Sequence, residues 1–369
     1  MEKNNYMERN KDNFCVILAG GKGRRLWPYS REKKPKQFID FFGTGRTQLQ
    51  STFDRFARLF PIENILVCTH KDYADMVREQ LPMLDEDNLL AEPVARNTAA
   101  SVAWAHVRIR KRNPNANVLI SPSDQLVLNE EAMACDILRG LDFVAHHDRI
   151  LTMGVKPTRP EPGYGYIQLG EATDVDKVYE VQSFTEKPER DFAQVFMDSG
   201  EFYWNTGLFL SNIGYLNKRL DEMLPEVLRN LVHAKPDYTK EEEQSFISDN
   251  YPSYPNLSID YGVFNDKDDV CVMLCDFGWA DLGTWHSIYE CGHIRGVDNV
   301  VVDSDVIMEN CHSTIIKLPK GKLGIVNGLD GYIVVEKDNV LLICPKEDSS
   351  SLVRKYANEV QMKNGEEFV

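Results

Sequence analysis

Apolar, β-branched runs alternate with helix-period stretches through the first half of the chain. Strands are expected near 14–19, 64–69, 116–121 and 150–155, and helices near 47–59, 71–81, 97–112 and 130–147. That rhythm predicts an α/β fold: a mostly parallel sheet with right-handed crossovers and helices on both faces. From about Gly163 to Ser211 the pattern shifts to longer strands and turns, an inserted or edge antiparallel region. After about residue 295 it shifts again, to short β segments at Val300–Val302, Ser313–Leu318, Leu323–Val326, Tyr332–Glu336 and Val340–Cys344, separated by Gly, Asn and Asp turns. Three parts are therefore expected: a polar lead 1–13, a main domain 14–294, and a small C-terminal all-β unit 295–369 closed by a helix over 346–360.

Ligands on a parallel sheet collect at the carboxyl ends of its strands. Three polar segments fall at expected strand exits: the glycine loop after Leu18, Ser123-Asp124 after Ile120, and Asp281 after the Val270–Phe277 strand. One crevice is expected to gather them. The first exit is the richest. Leu18-Ala19-Gly20-Gly21-Lys22-Gly23-Arg24-Arg25 is followed by Lys33-Lys34-Pro35-Lys36. Glycines let a polyphosphate approach backbone amides, Arg25 offers a flat fork for two oxygens, and Lys36 offers a mobile point charge. The dinucleotide fingerprint fails because Leu26 stands where the third glycine belongs, and no Walker pattern occurs.

Composition narrows the class. A chain of 369 residues can bury a full α/β core and a second, smaller unit. Net charge −15 argues against general nucleic-acid binding, so a bound anion must meet a local cationic site. No run is long and apolar enough to span a bilayer, and Met1–Asn13 lacks the apolar core of a secretion signal; a cytoplasmic protein with no membrane partner is expected. The eight cysteines show no paired Cys-x-x-Cys spacing, which predicts reduced thiols buried in strands rather than a zinc site.

Further segments stand in a fixed order: Glu92-Pro93-Val94-Ala95-Arg96-Asn97-Thr98-Ala99, Pro122-Ser123-Asp124, Gly163-Tyr164-Gly165-Tyr166-Ile167, Phe184-Thr185-Glu186-Lys187-Pro188, Trp204-Asn205-Thr206-Gly207, and Trp279-Ala280-Asp281-Leu282-Gly283-Thr284-Trp285. With the opening loop, they resemble the sugar-1-phosphate nucleotidylyltransferases, and within them the mannose-1-phosphate guanylyltransferases (GDP-mannose pyrophosphorylases), over residues 14–290. The resemblance implies a Rossmann-like nucleotidyltransferase fold with a β-helix-like C-terminal cap. It also implies transfer of GMP from GTP to α-mannose 1-phosphate, giving GDP-mannose and pyrophosphate.

Joining two anions needs positioning and charge neutralisation more than a protein nucleophile. Magnesium suits that task, and Asp124 with Asp281 are the expected ligands, although alone one would read as a helix cap and the other as a turn residue. Arg25, Lys36 and Lys187 are the expected catalytic cations, Lys187 on the sugar phosphate in an extended geometry set by Pro188. Leu18, Ala19, Gly20, Gly21, Gly23, Arg25 and Asp124 would line the nucleotide. Glu92, Arg96, Asn97 and Thr98 stand where related enzymes read the base; Arg96 is also open to a phosphate contact and Asn97-Thr98 to a helix N-cap. On the sugar side stand Gly165, Glu186, Lys187, Asn205 and Asp281. Trp204, Trp279 and Trp285 read as core or cleft-wall aromatics. The family usually has His after the first Asp; here it is Gln125. Rival readings are a guanylyltransferase for a heptose or another hexose phosphate, and a non-catalytic GDP-mannose-binding regulator that would have lost the cationic loop or a metal carboxylate. A homodimer is allowed. Longer relatives carry an isomerase domain for which 369 residues leave no room, so no isomerase activity is expected.

Overall fold

The computed structural model describes residues 9–233, 239–264, 269–293, 296–347 and 349–369. They pack into two units: one from the described residues of Met1–Gly20, Phe53–Pro122 and Val127–Trp279, the other from Gly21–Thr52, Ser123–Leu126 and Ala280–Val369. The boundary expected at 294/295, residues 1–8 of the polar lead, and residue 348 of the closing helix lie outside the described residues.

Among the described residues, eleven strands precede the C-terminal region: β1 (Asn13–Leu18), β2 (Ile65–His70), β3 (Leu89–Glu92), β4 (Asn117–Pro122), β5 (Gln125–Val127), β6 (Ile150–Val155), β7 (Gly165–Ala172), β8 (Val178–Glu186), β9 (Phe202–Asn212), β10 (Val270–Cys275) and β11 (Trp279–Asp281). Strands β5 and β11 form a small sheet of their own; the other nine run in the order β3-β2-β1-β4-β9-β6-β10-β8-β7, with β7 also beside β9. The β3-β2-β1-β4 and β6-β10 ladders are parallel, as the alternating pattern predicts. Strand β9 lies antiparallel between β4 and β6, and the β7-β8 hairpin is antiparallel, so the sheet is mixed. The turn-rich 163–211 stretch is the source: a hairpin that returns to the sheet must reverse direction.

Among the helices before β6 are α1 (Gln48–Phe56), α2 (Ala74–Gln80), α3 (Asn97–Arg112) and α4 (Glu130–His146). Phe14 and Val16 of β1 share a core cluster with Ala99–Ala105 of α3, including Trp104. Because side chains alternate along a strand, their neighbours Cys15 and Ile17, also buried, face the other side. Helix α4 covers that side: a Cβ added to its Gly140 would sit 3.1 Å from Leu210 and 3.3 Å from Leu151. Helices thus cover both faces, and each large apolar side chain so buried stabilises the fold by roughly 1.5–3 kcal/mol.

The second unit carries β12 (Val300–Val301), β13 (Asp305–Glu309), β14 (Ile315–Lys317), β15 (Leu323–Asn327), β16 (Tyr332–Lys337) and β17 (Val340–Pro345). The strands stack in parallel, Val300 on Ile315 on Ile333 and Asp305 on Leu323, and β17 closes antiparallel on β16. Strand β13 has no counterpart among the expected segments; it exposes alternate residues, Ile307 among them, so its apolar signal is thin. Ile315, Ile333 and Val335 share one cluster with Leu26, Trp27 and Phe41, with Trp285, and with Val353 and Ala357 of the helix Ser349–Asn364. Apolar packing therefore fastens the segment 21–52 to the C-terminal β region. No disulfide joins the eight cysteines and seven of them are buried; Cys135, exposed on α4, Cys291, in the helix Trp285–His293, and Cys311, between β13 and β14, depart from the expected buried strands.

Candidate active site

In the second unit, the glycine loop leads into a short 3-10 turn, Arg24–Leu26, whose Leu26 is fully buried. Gly23 has φ +67°, and a Cβ there would lie 2.5 Å from Ser30 Oγ and 2.9 Å from Lys36 Cγ. Only glycine brings the loop backbone this close to the Lys36 side chain. The Gly21 carbonyl accepts from Gln37 Nε2 at 3.0 Å, which ties the loop to the residue after Lys36. At the far side of the turn, Trp27 Nε1 donates to the Phe368 carbonyl at 2.7 Å and Arg24 to Asn358 Oδ1 at 3.2 Å.

Lys36 forms an ion pair with Asp124, and both side chains are largely buried. Burial alone would push the ammonium down; the carboxylates of Asp124 and Asp281 outweigh it and hold Lys36 above the usual lysine range, against the opposing charge of Arg25. The four charged groups expected around a triphosphate thus act on one another within one unit. The Asp124 carbonyl accepts from the Leu282 N–H at 3.4 Å, so the backbones bearing the two carboxylates adjoin. A Cβ on Gly283 would fall 2.6 Å from Asp281 Oδ2 and 2.9 Å from Arg25 Nη2, so any larger residue would fill the space between carboxylate and guanidinium. Asp124 does not cap a helix: Asn129 does, accepting from the Ala132 N–H at 3.0 Å. Asp281 ends β11 rather than lying in a turn.

In the first unit, the Ala19 N–H donates to the Cys68 carbonyl at 2.8 Å, carrying the β1-β2 ladder one residue past Leu18. A Cβ on Gly20 would lie 3.5 Å from Glu92 Oε2, so Glu92 stands beside the start of the loop. Burial pushes the Glu92 carboxyl up to about 7, with Ser101 and Tyr251 hydrogen bonds pulling the other way. Its Oε1 has no hydrogen-bond partner among the described residues. Arg96 donates to the Pro252 carbonyl. Asn97 opens α3 at φ +61° and accepts from the Thr98 N–H at 3.0 Å, while Thr98 Oγ1 accepts from the Ile259 N–H at 2.8 Å. The expected base-reading residues are thereby fastened to the segment 252–259.

Gly165 and Glu186 are cross-strand partners in the β7-β8 hairpin, and a Cβ on Gly165 would meet the Phe184 ring at 2.7 Å and Glu186 Oε2 at 2.9 Å. Lys187 pairs with Glu186, both in solvent. Its backbone is not extended: φ is +48°, because the Lys187 N–H continues the ladder to the Tyr164 carbonyl at 3.2 Å before the chain turns sharply at Pro188. The ladder bond outweighs the pre-proline preference. Asn205 is buried; its Oδ1 accepts from Thr152 Oγ1 at 3.0 Å and the Gly207 N–H at 3.1 Å, and its Nδ2 donates to Asp260 Oδ1 at 2.9 Å. Tyr164 packs edge-on against Trp204 at 5.0 Å and Trp279 at 5.1 Å, while Trp285 is buried in the core of the second unit.

The nucleotidyl transferase family profile matches residues 14–294, the stretch that carries these groups. The chain belongs to that family. It is 31% identical over 365 residues to an Escherichia coli mannose-1-phosphate guanylyltransferase, covering 95% of this chain and 76% of the relative. It is 34% identical over 343 residues to the mannose-1-phosphate guanylyltransferase ManC of Salmonella typhimurium strain LT2, covering 89% and 69%. A crystal structure described as a mannose-1-phosphate geranyltransferase from Thermus thermophilus superposes with TM-score 0.83 at 28% identity, over 95% of this chain and 99% of that one. The expected α/β nucleotidyltransferase fold and family membership are borne out.

Within the family frame, the residue that sequence reasoning missed is Asp260, in the short helix Ile259–Phe264. Burial first, then the negative Glu186, push its carboxyl up, while Ser258 and Asn205 hydrogen bonds pull it down. The available signal was an acidic residue set between Ile259 and Tyr261 in an otherwise apolar stretch. No described helix is long and apolar enough to cross a membrane.

Proposed function

We propose that this protein transfers GMP from GTP to α-D-mannose 1-phosphate, releasing GDP-mannose and pyrophosphate, by in-line attack of the sugar phosphate on the α-phosphorus with no covalent enzyme intermediate. The observation that carries this reading is the buried Lys36 ammonium, paired with Asp124, influenced by Asp281 and opposed by Arg25, next to a glycine loop that only glycine can close. Two anions must be joined, and Lys36 and Arg25 offset the repulsion on the triphosphate side while Lys187 meets the sugar phosphate. Because two carboxylates hold Lys36 in its charged form, its charge does not depend on pH near neutrality. Glu92, poised near 7, ionises against the N1–H and N2–H donors of guanine; Arg96, Asn97 and Thr98 frame that end.

The donor set also fits a divalent ion, and magnesium is the one we assign. Asp124 and Asp281 are hard oxygen donors on adjoining backbones, and no cluster of three or more His, Cys, Asp or Glu is gathered among the described residues. Two protein ligands leave the rest of the shell to phosphate oxygens and water. When bound there, magnesium supplies charge neutralisation to the phosphates. Use of GTP supports a cytoplasmic reading.

Purified protein, GTP, Mg²⁺ and a panel of sugar 1-phosphates, read by pyrophosphate release, test the assignment. Mannose 1-phosphate should turn over best. A heptose or other hexose phosphate used equally well would reassign the sugar, and GDP-mannose binding without pyrophosphate release would make the protein a regulator.

A further inference from the structure

We infer that Asp260 is a positioning residue for the sugar subsite: it locks the Asn205 carboxamide so that what remains for a ligand is a single N–H donor. The inference rests on the reading above, in which Asn205 and Glu186 meet the sugar. A primary amide has two acceptor lone pairs and two N–H hydrogens. The Gly207 backbone N–H can only donate, so the Asn205 atom 3.1 Å from it is the oxygen, which fixes the amide's orientation. The Thr152 hydroxyl reaches the same oxygen at 3.0 Å, sharing its one hydrogen with the Leu208 carbonyl at 3.1 Å. One Nδ2 hydrogen goes to Asp260 Oδ1 at 2.9 Å, and Asp260 Oδ2 is in turn held by Ser258 Oγ at 3.0 Å. One N–H is left.

That donor stands in a subsite with Glu186, a carboxylate that when ionised only accepts, from Lys187 and from a ligand. A sugar hydroxyl both donates and accepts, so the pair reads hydroxyls by complementary halves: Asn205 to the lone pair, Glu186 to the hydrogen. Without Asp260 the amide would keep its oxygen bonds and lose the anchor on its nitrogen. The Nδ2 would then have no partner fixing the direction of its hydrogens, and the subsite would bind the hydroxyl less tightly.

Three variants test this through separate KM values for mannose 1-phosphate and GTP, with melting temperature alongside. Asp260→Ala should raise KM for mannose 1-phosphate about tenfold, the loss of roughly one hydrogen bond, with KM for GTP within about twofold. Asp260→Asn keeps an acceptor oxygen for the amide and should stay close to the parent. The exchange Asn205→Asp with Asp260→Asn is the decisive arm. It rebuilds every internal hydrogen bond, since a carboxylate at 205 still accepts from Gly207 and Thr152 and the amide at 260 donates to it, but it leaves no donor for the sugar at 205. It should recover the melting temperature and not the KM. Recovery of KM by the exchange, or equal rises of both KM values in Asp260→Ala, would reduce Asp260 to a folding role and overturn the inference. Failure of the unaltered protein to use mannose 1-phosphate would instead sink the functional reading, before any variant is made.

Discussion

The second unit holds its candidate reactive groups by charge against charge, whereas the first holds Glu92, Asn205 and Asp260 by hydrogen bonds and leaves its Lys187–Glu186 ion pair in solvent. Lys36 answers to Asp124, Asp281 and Arg25. Glu92, Asn205 and Asp260 answer to Ser101, Tyr251, Thr152, a backbone N–H and Ser258. The contrast follows the chemistry each set would serve. Phosphates carry charge that must be matched by fixed charge, and a base edge or a sugar face carries directional donors and acceptors that charge alone cannot distinguish. It also ranks the damage. Removing one member of a buried charged set leaves its partner uncompensated, while removing one neutral hydrogen bond costs about 1 kcal/mol.

The sharpest break should come at Lys36 or Asp124. Replacing either with Ala should lower pyrophosphate release roughly a thousandfold, since one charge of the set is lost and its partner is left uncompensated, while far-UV circular dichroism stays native. Near-normal turnover in either variant would erase the distinction between the two units.

Glu92 is the next lever, because its buried carboxyl is poised to ionise near neutrality. A carboxyl raised from 4.5 to about 7 binds more protons folded than unfolded between those values. Its contribution to stability is complete below pH 4.5, falls as pH rises, and is gone above about 7, roughly 3 kcal/mol in all. His106 in the same unit opposes it: burial pushes that imidazole down to about 4, so stability is lost as pH falls through 6.5 toward 4. The unaltered profile mixes the two, so the difference between Glu92→Gln and the parent isolates Glu92. In ligand-free thermal melts the variant should gain on the parent at pH 8 relative to pH 5; a constant difference would mean the carboxyl is not buried as described.

Much of this was legible in the chain, for local reasons. Helix α3 begins and ends at the expected 97 and 112, and the four early strands fall within a residue of their expected positions, because continuous apolar runs and helix-period stretches declare themselves without tertiary help. That four charged residues gather in the second unit could be anticipated, since Arg25 stands in the glycine loop, Lys36 in the basic stretch after it, and Asp124 and Asp281 at expected strand exits. Asp260 did not, because its meaning lies in a bond to Asn205 fifty-five residues away. The left-handed turn at Lys187 was hidden by a tertiary ladder bond that overrides a local preference. Nor does any local pattern say that residues 21–52 pack with the C-terminal strands; that follows from where Leu26, Trp27 and Phe41 find apolar partners.

A smaller effect is expected at Gly165. Its replacement by Ala drives a Cβ to within 2.9 Å of Glu186 Oε2 and into the Phe184 ring, so the carboxylate must move. KM for mannose 1-phosphate should rise about tenfold with KM for GTP little changed, the cost of one misdirected hydrogen bond. Parallel rises in both would mean that the hairpin as a whole, and not the edge proposed to meet the sugar, had been damaged.

The smallest effect separates kind of interaction from place. Thr52, fully buried in the second unit, donates its hydroxyl to the Ser123 carbonyl at 3.1 Å, one residue before Asp124. If position beside the charged set decided the damage, Thr52→Val would approach Asp124→Ala in severity. If the kind of interaction decides it, the variant loses one neutral hydrogen bond, about 1 kcal/mol of stability, and the Asp124 backbone keeps its bond to the Leu282 N–H. Chemical denaturation should show that modest loss at unchanged slope, with pyrophosphate release within a few-fold of the parent. A collapse of turnover at unchanged stability would show that the loop bearing Asp124 is held to a tighter tolerance than its charges alone impose, and the contrast would then be one of rigidity rather than of charge.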